Sequence, residues 1–159
     1  FGSMSHFFYD FSGELSFIGA LFPVNESVWE HLKLLLIPII SWWILFYYIN
    51  REKLFIDKDK WFFATLISLL YSMFFQLSIF YIYTSALGVE YLVIDILIFL
   101  ISVILGQLTG LHIYKYYKGI NYKISIFILI TLIIFFIFVT FNTPHLPIFC
   151  DPITGNYGL

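Results

Sequence analysis

Four uninterrupted apolar stretches leave this chain few ways to fold. They run from about Val28 to Ile49, Trp61 to Thr84, Tyr91 to Tyr114 and Ile124 to Phe141, joined by short connections. About 20 apolar residues carry a helix across a bilayer. Lipid cannot satisfy free backbone N–H and C=O groups, so a spanning segment must be a helix or part of a closed barrel. A membrane barrel needs alternating polarity and about eight strands or more, and these runs are continuous. The expected fold is therefore all-α: a polytopic transmembrane helix bundle of four spans, forming a single transmembrane domain over residues 1–159. Composition agrees, with 61% hydrophobic and 11% charged residues where a soluble domain carries roughly 25% charged. Pro38 removes a backbone donor inside the first run and is expected to bend it.

Orientation follows from the cations. Arg51, Lys53, Lys58 and Lys60 lie between the first and second runs, and Lys115, Lys118 and Lys123 between the third and fourth. Lys33 is the eighth and last basic residue. Basic loops stay in the cytoplasm, so loops 50–60 and 115–123 are expected inside. The N-terminal segment, the Ser85–Glu90 loop and the tail from Asn142 are expected outside. Starting outside calls for a fifth span upstream of Phe1. The stretch Phe1–Ser5 reads as an added remnant or as the end of such a segment, and is too short for a signal peptide. A net charge of −2 with no basic tract argues against nucleic acid, which clustered Lys and Arg recognise. The lone Cys150 excludes an intrachain disulfide and a multi-cysteine metal cage.

This orientation gathers most polar residues of the outer side. His6, Asp10 and Glu14 precede the first span, and Asn25, Glu26, Ser27, Glu30 and His31 stand at its start. His145 and Asp151 follow the fourth. Asp95 falls about 6 Å inside the third span, at about 1.5 Å per residue. An ionisable group within a span is a functional candidate, because burying it unpaired is costly. Reach to the interface or to a nearby donor is the alternative. His112 lies about 25 Å from Asp95 along the same helix and cannot share its site. Gln76 and Gln107 suit interhelical hydrogen bonds. Ser102, Gly106 and Gly110 are spaced for close helix contact, within the bundle or with a partner membrane helix.

The helix start admits two readings. In the first, Ser27 and Glu30 form a capping box: the hydroxyl accepts from the Glu30 N–H, and the carboxylate returns to the Ser27 N–H. Trp29 is then an interfacial anchor. In the second, Glu26 with Glu30 and Ser27 with His31 are four apart and share helix faces, which lets this end hold a metal. His31, His6, His145 and Asp151 are the candidate ligands and zinc is the candidate ion. Three protein ligands plus water is the open arrangement of catalytic zinc, and the bound water becomes a nucleophile near neutral pH. Glu30 or Glu26 is then the candidate base, with Ser27 as an orienting donor. Three prolines stiffen the tail between Thr143 and Gly158, and its turn residues fold it back towards the bundle.

The string Phe22-Pro-Val-Asn-Glu-Ser-Val-Trp-Glu-His-Leu-Lys33 resembles the signature of an uncharacterised family of small polytopic membrane proteins from Firmicutes-type bacteria. Gly2-Ser3-x-x-His6-Phe-x-Tyr9-x-x-Ser12-Gly13 and Pro144-His-Leu-Pro-x-Phe-x-Asp-Pro-x-Thr-Gly-x-Tyr-Gly158 resemble its pattern too, so the likeness covers nearly the whole chain. It implies a bacterial plasma membrane and a hydrophobic helix ahead of His6, and it implies no activity. Ser27-x-x-x-His31 also resembles an element of the ceramidase and progestin-receptor-like membrane hydrolases, which hold zinc between helices. Those proteins have seven spans and a late His-x-x-x-His, both missing here.

Two functions from different classes remain open on the sequence. One is a metal-assisted hydrolase acting on a lipid-like substrate at the outer face. The other is a non-enzymatic membrane subunit or binding protein, whose polar outer cluster caps helices and pins the tail.

Overall fold

The computed structural model describes residues 2–159, with side chains from Met4 onward. Phe1, and any helix ahead of it, lie outside the described residues. Three short helices open the chain: α1 (Gly2–Ser5), α2 (Phe8–Phe11) and α3 (Ser16–Gly19). One turn, α4 (Val28–His31), leads into α5 (Lys33–Asn50), followed by α6 (Lys58–Leu87), α7 (Leu92–Tyr116) and α8 (Tyr122–Phe141). A 3-10 turn at Pro147–Phe149 follows. The fold is an all-α bundle. Among the described residues, four helical segments are long and apolar enough to cross a membrane: Val28–Asn50, Lys58–Leu87, Leu92–Tyr116 and Tyr122–Phe141.

The helix ends follow local chemistry. Asp57 caps α6 by accepting from the Lys60 N–H at 3.2 Å, so α6 starts before the apolar run. Gly88 ends α6 with φ +66°, a left-handed conformation that glycine adopts freely. Helix α5 runs on through Pro38. The first span is interrupted instead at Leu32, where Leu32 and Leu35 donate to carbonyls three residues back. That local tightening is 3-10 geometry.

The chain divides into two compact units. One comprises residues 1–41 and 127–159. Its core holds Leu32, Leu35, Leu36 and Ile39. Trp29 packs inward in this unit, stacked on Phe136 with ring centroids 4.3 Å apart and resting against Phe149 at 5.0 Å. The expected interfacial anchor is thus a packing residue, its indole N–H buried without a partner.

The other unit, residues 42–126, is built on the α6·α7 pair. The predicted small-residue stripe faces α6: Gly106 opposes Ser68 and Ser72, and Gly110 opposes Ala64 and Ser68. A Cβ on Gly106 would lie 1.8 Å from Ser72 Oγ and 2.8 Å from the Ser68 carbonyl oxygen. Gly106→Ala is therefore expected to cost about 1–3 kcal/mol through overpacking, read as a lower melting temperature in detergent. Unchanged melting would contradict this close approach. Trp61 caps the pair by donating its indole N–H to the Trp43 carbonyl at 2.9 Å. Asp95 has a donor within the same unit, because the Tyr83 hydroxyl hydrogen-bonds its carboxylate across the α6–α7 connection.

Candidate functional site

The polar centre of the first unit begins with the cap of α4. Ser27 Oγ accepts from the Glu30 N–H at 3.3 Å, as a capping box requires. The return half differs from expectation. The Ser27 N–H donates to Asn25 Oδ1 at 3.0 Å, and the Glu30 carboxylate is used elsewhere. It pairs with Lys33 Nζ at 2.7 Å and accepts from the Val24 N–H at 3.1 Å and the Thr140 hydroxyl at 3.4 Å. Lys33 Nζ also donates to the Gly19 carbonyl at 2.8 Å and to that of Phe22 at 3.4 Å. Both side chains are buried, with 0% of Lys33 and 2% of Glu30 exposed. One ion pair thus fastens the Gly19–Val24 loop and α8 to the first span.

That loop turns the chain so that residues before it meet the start of α4. His6 Nε2 lies 3.2 Å from His31 Nε2, with the rings stacked 5.2 Å apart. Glu26 completes a triangle, with Oε1 3.3 Å from His6 Nε2 and Oε2 3.4 Å from His31 Nε2. The three side chains are 23%, 40% and 30% exposed for His6, Glu26 and His31, so the site is open on one side. Among the described residues, this is the group of His, Cys, Asp and Glu whose potential ligand atoms all lie within 4.8 Å of one another.

Hydrogen bonds alone do not satisfy this triangle. A neutral imidazole offers at Nε2 either one proton or one lone pair, and a carboxylate only accepts. If both Nε2 atoms carry protons, both reach Glu26, but the nitrogens then face each other as two donors. If one carries a lone pair, the nitrogens bond and that lone pair faces a carboxylate oxygen. At most two of three edges are linear hydrogen bonds. A cation inside the triangle would use all three lone pairs. Tetrahedral zinc with ligands at 2.0–2.1 Å sets neighbouring ligand atoms about 3.3 Å apart, close to the three edges found.

The other sequence candidates sit apart from this group. His145 packs on Tyr157, with ring centroids 4.6 Å apart. Asp151 is buried in the tail, accepting from the Ile153 N–H at 2.9 Å and the Thr154 hydroxyl at 2.6 Å. Its own N–H donates to the Asn156 carbonyl at 2.9 Å, and the Leu159 N–H reaches the Thr140 carbonyl at 3.1 Å. These bonds fold the tail onto the end of α8. The motifs of the sequence give Lys33 no role; a cation five residues inside an apolar run is the signal for a buried partner.

The Glu26 carboxyl is held below its ordinary range, first by the hydrogen bond with His31 and further by the nearby imidazoles, against the opposing effect of partial burial. A lowered folded pKa stabilises the fold above the unfolded value, about 4.3, and that support fades as pH falls through the lowered one. Metal-free protein is expected to melt earlier as pH falls below the unfolded carboxyl value of about 4.3, with part of the slope missing in Glu26→Gln. Parallel melting curves for the two proteins would contradict this pairing.

No curated protein and no solved structure matches this chain. A family model described as a family of unknown function, DUF6512, matches residues 1–159, and the chain belongs to that family.

Proposed function

We propose that the chain is a bacterial membrane metalloprotein that binds one divalent ion, zinc by preference, through His6, Glu26 and His31. The proposed activity is metal-assisted hydrolysis of a lipid-like ester. The observation that supports it is the triangle of 3.2, 3.3 and 3.4 Å between ligand atoms, a spacing that suits a tetrahedral ion and leaves a fourth position free. Two imidazoles and a carboxylate form a ligand set used by hydrolytic zinc.

Bound metal lowers the pKa of water enough to hold hydroxide near neutral pH. Held by His6, Glu26 and His31, the ion would supply a water-derived nucleophile for an ester carbonyl, giving the free acid and the alcohol as products. Glu30 is engaged by Lys33, Val24 and Thr140, which leaves Glu26 as the carboxylate at the proposed ion. With the Lys-rich loops taken as cytoplasmic, the residues before Val28 meet the outer face. A non-enzymatic subunit is the second reading. It is favoured by the same Glu30–Lys33 knot, which is built as a structural fastening.

The test is zinc content and ester hydrolysis by purified protein in lipid nanodiscs. About one zinc per chain, with hydrolysis of a phospholipid or diacylglycerol ester abolished by chelator and restored by zinc, is expected. Bound zinc without turnover of any ester lipid would favour the subunit reading. Absence of zinc would end the proposal.

A further inference from the structure

We infer that residues 4–17 form an interfacial element, seating Met4, Phe7, Phe11, Leu15 and Phe17 in the headgroup–acyl boundary and presenting the His6–Glu26–His31 centre to the esters of membrane lipids. The presentation to lipid rests on the metal reading above; the seating of the element does not.

Three observations carry it. First, these side chains are large, apolar and turned out of the protein: Met4 is 69% exposed, Phe11 83% and Phe17 74%. Met4, Phe7 and Phe11 recur at helical spacing, the Phe11 N–H donates to the Phe7 carbonyl at 3.0 Å, and the Phe7 and Phe11 rings lie 6.1 Å apart. The two short helices α1 and α2 and the turn between them thus carry an apolar edge of the kind that elements lying in a membrane surface present.

Second, the element is held at interfacial height. Lys33 Nζ bonds the Gly19 carbonyl at 2.8 Å and, at the same time, Glu30 in the first turn of the span at 2.7 Å. The end of α3 is therefore level with the start of a membrane-crossing helix. Third, the stripe borders the site, since His6 meets the Phe7 ring edge-on at 5.3 Å. Asp10 and Glu14 are also exposed on the same segment, and their carboxylates favour the water side of the boundary. A bilayer beside the first span is the apolar phase within reach of such a stripe, and aromatic side chains favour its boundary.

The test uses full-length protein with Cys150→Ser, reconstituted in phosphatidylcholine vesicles. Nitroxides are attached at Phe11→Cys, Phe17→Cys, Asp10→Cys or Glu14→Cys. Collisions with oxygen, which concentrates in lipid, are compared with those of a water-soluble nickel chelate. Labels at 11 and 17 are expected to favour oxygen several-fold over labels at 10 and 14. Chelate-dominated collisions at 11 and 17 would overturn the inference. Shielding from both reagents would also overturn it, by showing protein over the stripe. The measurement needs no metal. Protein that passes without binding zinc would remove the metal centre but keep the element, whereas zinc-binding protein that fails would lose the element alone.

Discussion

Lys33→Met is expected to destabilise the protein by about 3–5 kcal/mol, because it leaves the Glu30 carboxylate buried without its counter-ion. Lys33 has no exposed side-chain surface and Glu30 only 2%, so water cannot replace the lost partner. The substitution also frees the Gly19 and Phe22 carbonyls that Lys33 holds. Glu30→Gln introduced with Lys33→Met removes the stranded charge, and its amide keeps an oxygen for the Val24 N–H. The double variant should therefore recover more than half of the loss. Chemical denaturation in detergent micelles reads all three proteins. A Lys33→Met loss below about 1 kcal/mol, in the range of an exposed pair, would show that the charges are hydrated.

His31→Ala is expected to weaken zinc binding by more than about 100-fold, since even an outer-shell partner of a ligand is worth roughly 10–100-fold. His6→Ala should do the same, while His145→Ala should leave binding unchanged, because the ligand atoms within 4.8 Å of one another belong to His6, Glu26 and His31 and the His145 ring packs on Tyr157. Competition titration with a chromophoric chelator measures all three. Binding should also fall in acid for the wild type, as protons compete with metal at the imidazoles. Equal losses in His31→Ala and His145→Ala would move the centre towards the tail.

The spans were legible in the sequence because hydrocarbon demands long apolar helices and little else produces them. The start of α6 is less so: Asp57 caps the helix four residues ahead of Trp61, a polar signal hidden beside the apolar one. Spacing placed Glu26, Ser27, Glu30 and His31 at one helix start, but spacing is silent on what lies opposite. His6 reaches that end only because the Gly19–Val24 loop is tied back by Lys33 and Glu30, and nothing in a linear motif encodes that return. The tail's prolines and turn residues announced a stiff, folded segment. They did not say that Asp151 would spend its oxygens on Ile153 and Thr154. The exposed row of Met4, Phe7 and Phe11 is not legible in the sequence, because it sits in a stretch too short and too interrupted to read as a helix.

Zinc-edge X-ray absorption of the zinc-loaded protein would test the metal centre most directly. Two imidazoles and one or two oxygens at about 2.0 Å, with one imidazole lost in His6→Ala, is the expected spectrum. A zinc ion bound through sulfur, or one whose imidazole scattering is untouched by His6→Ala, would contradict a centre built from His6, Glu26 and His31.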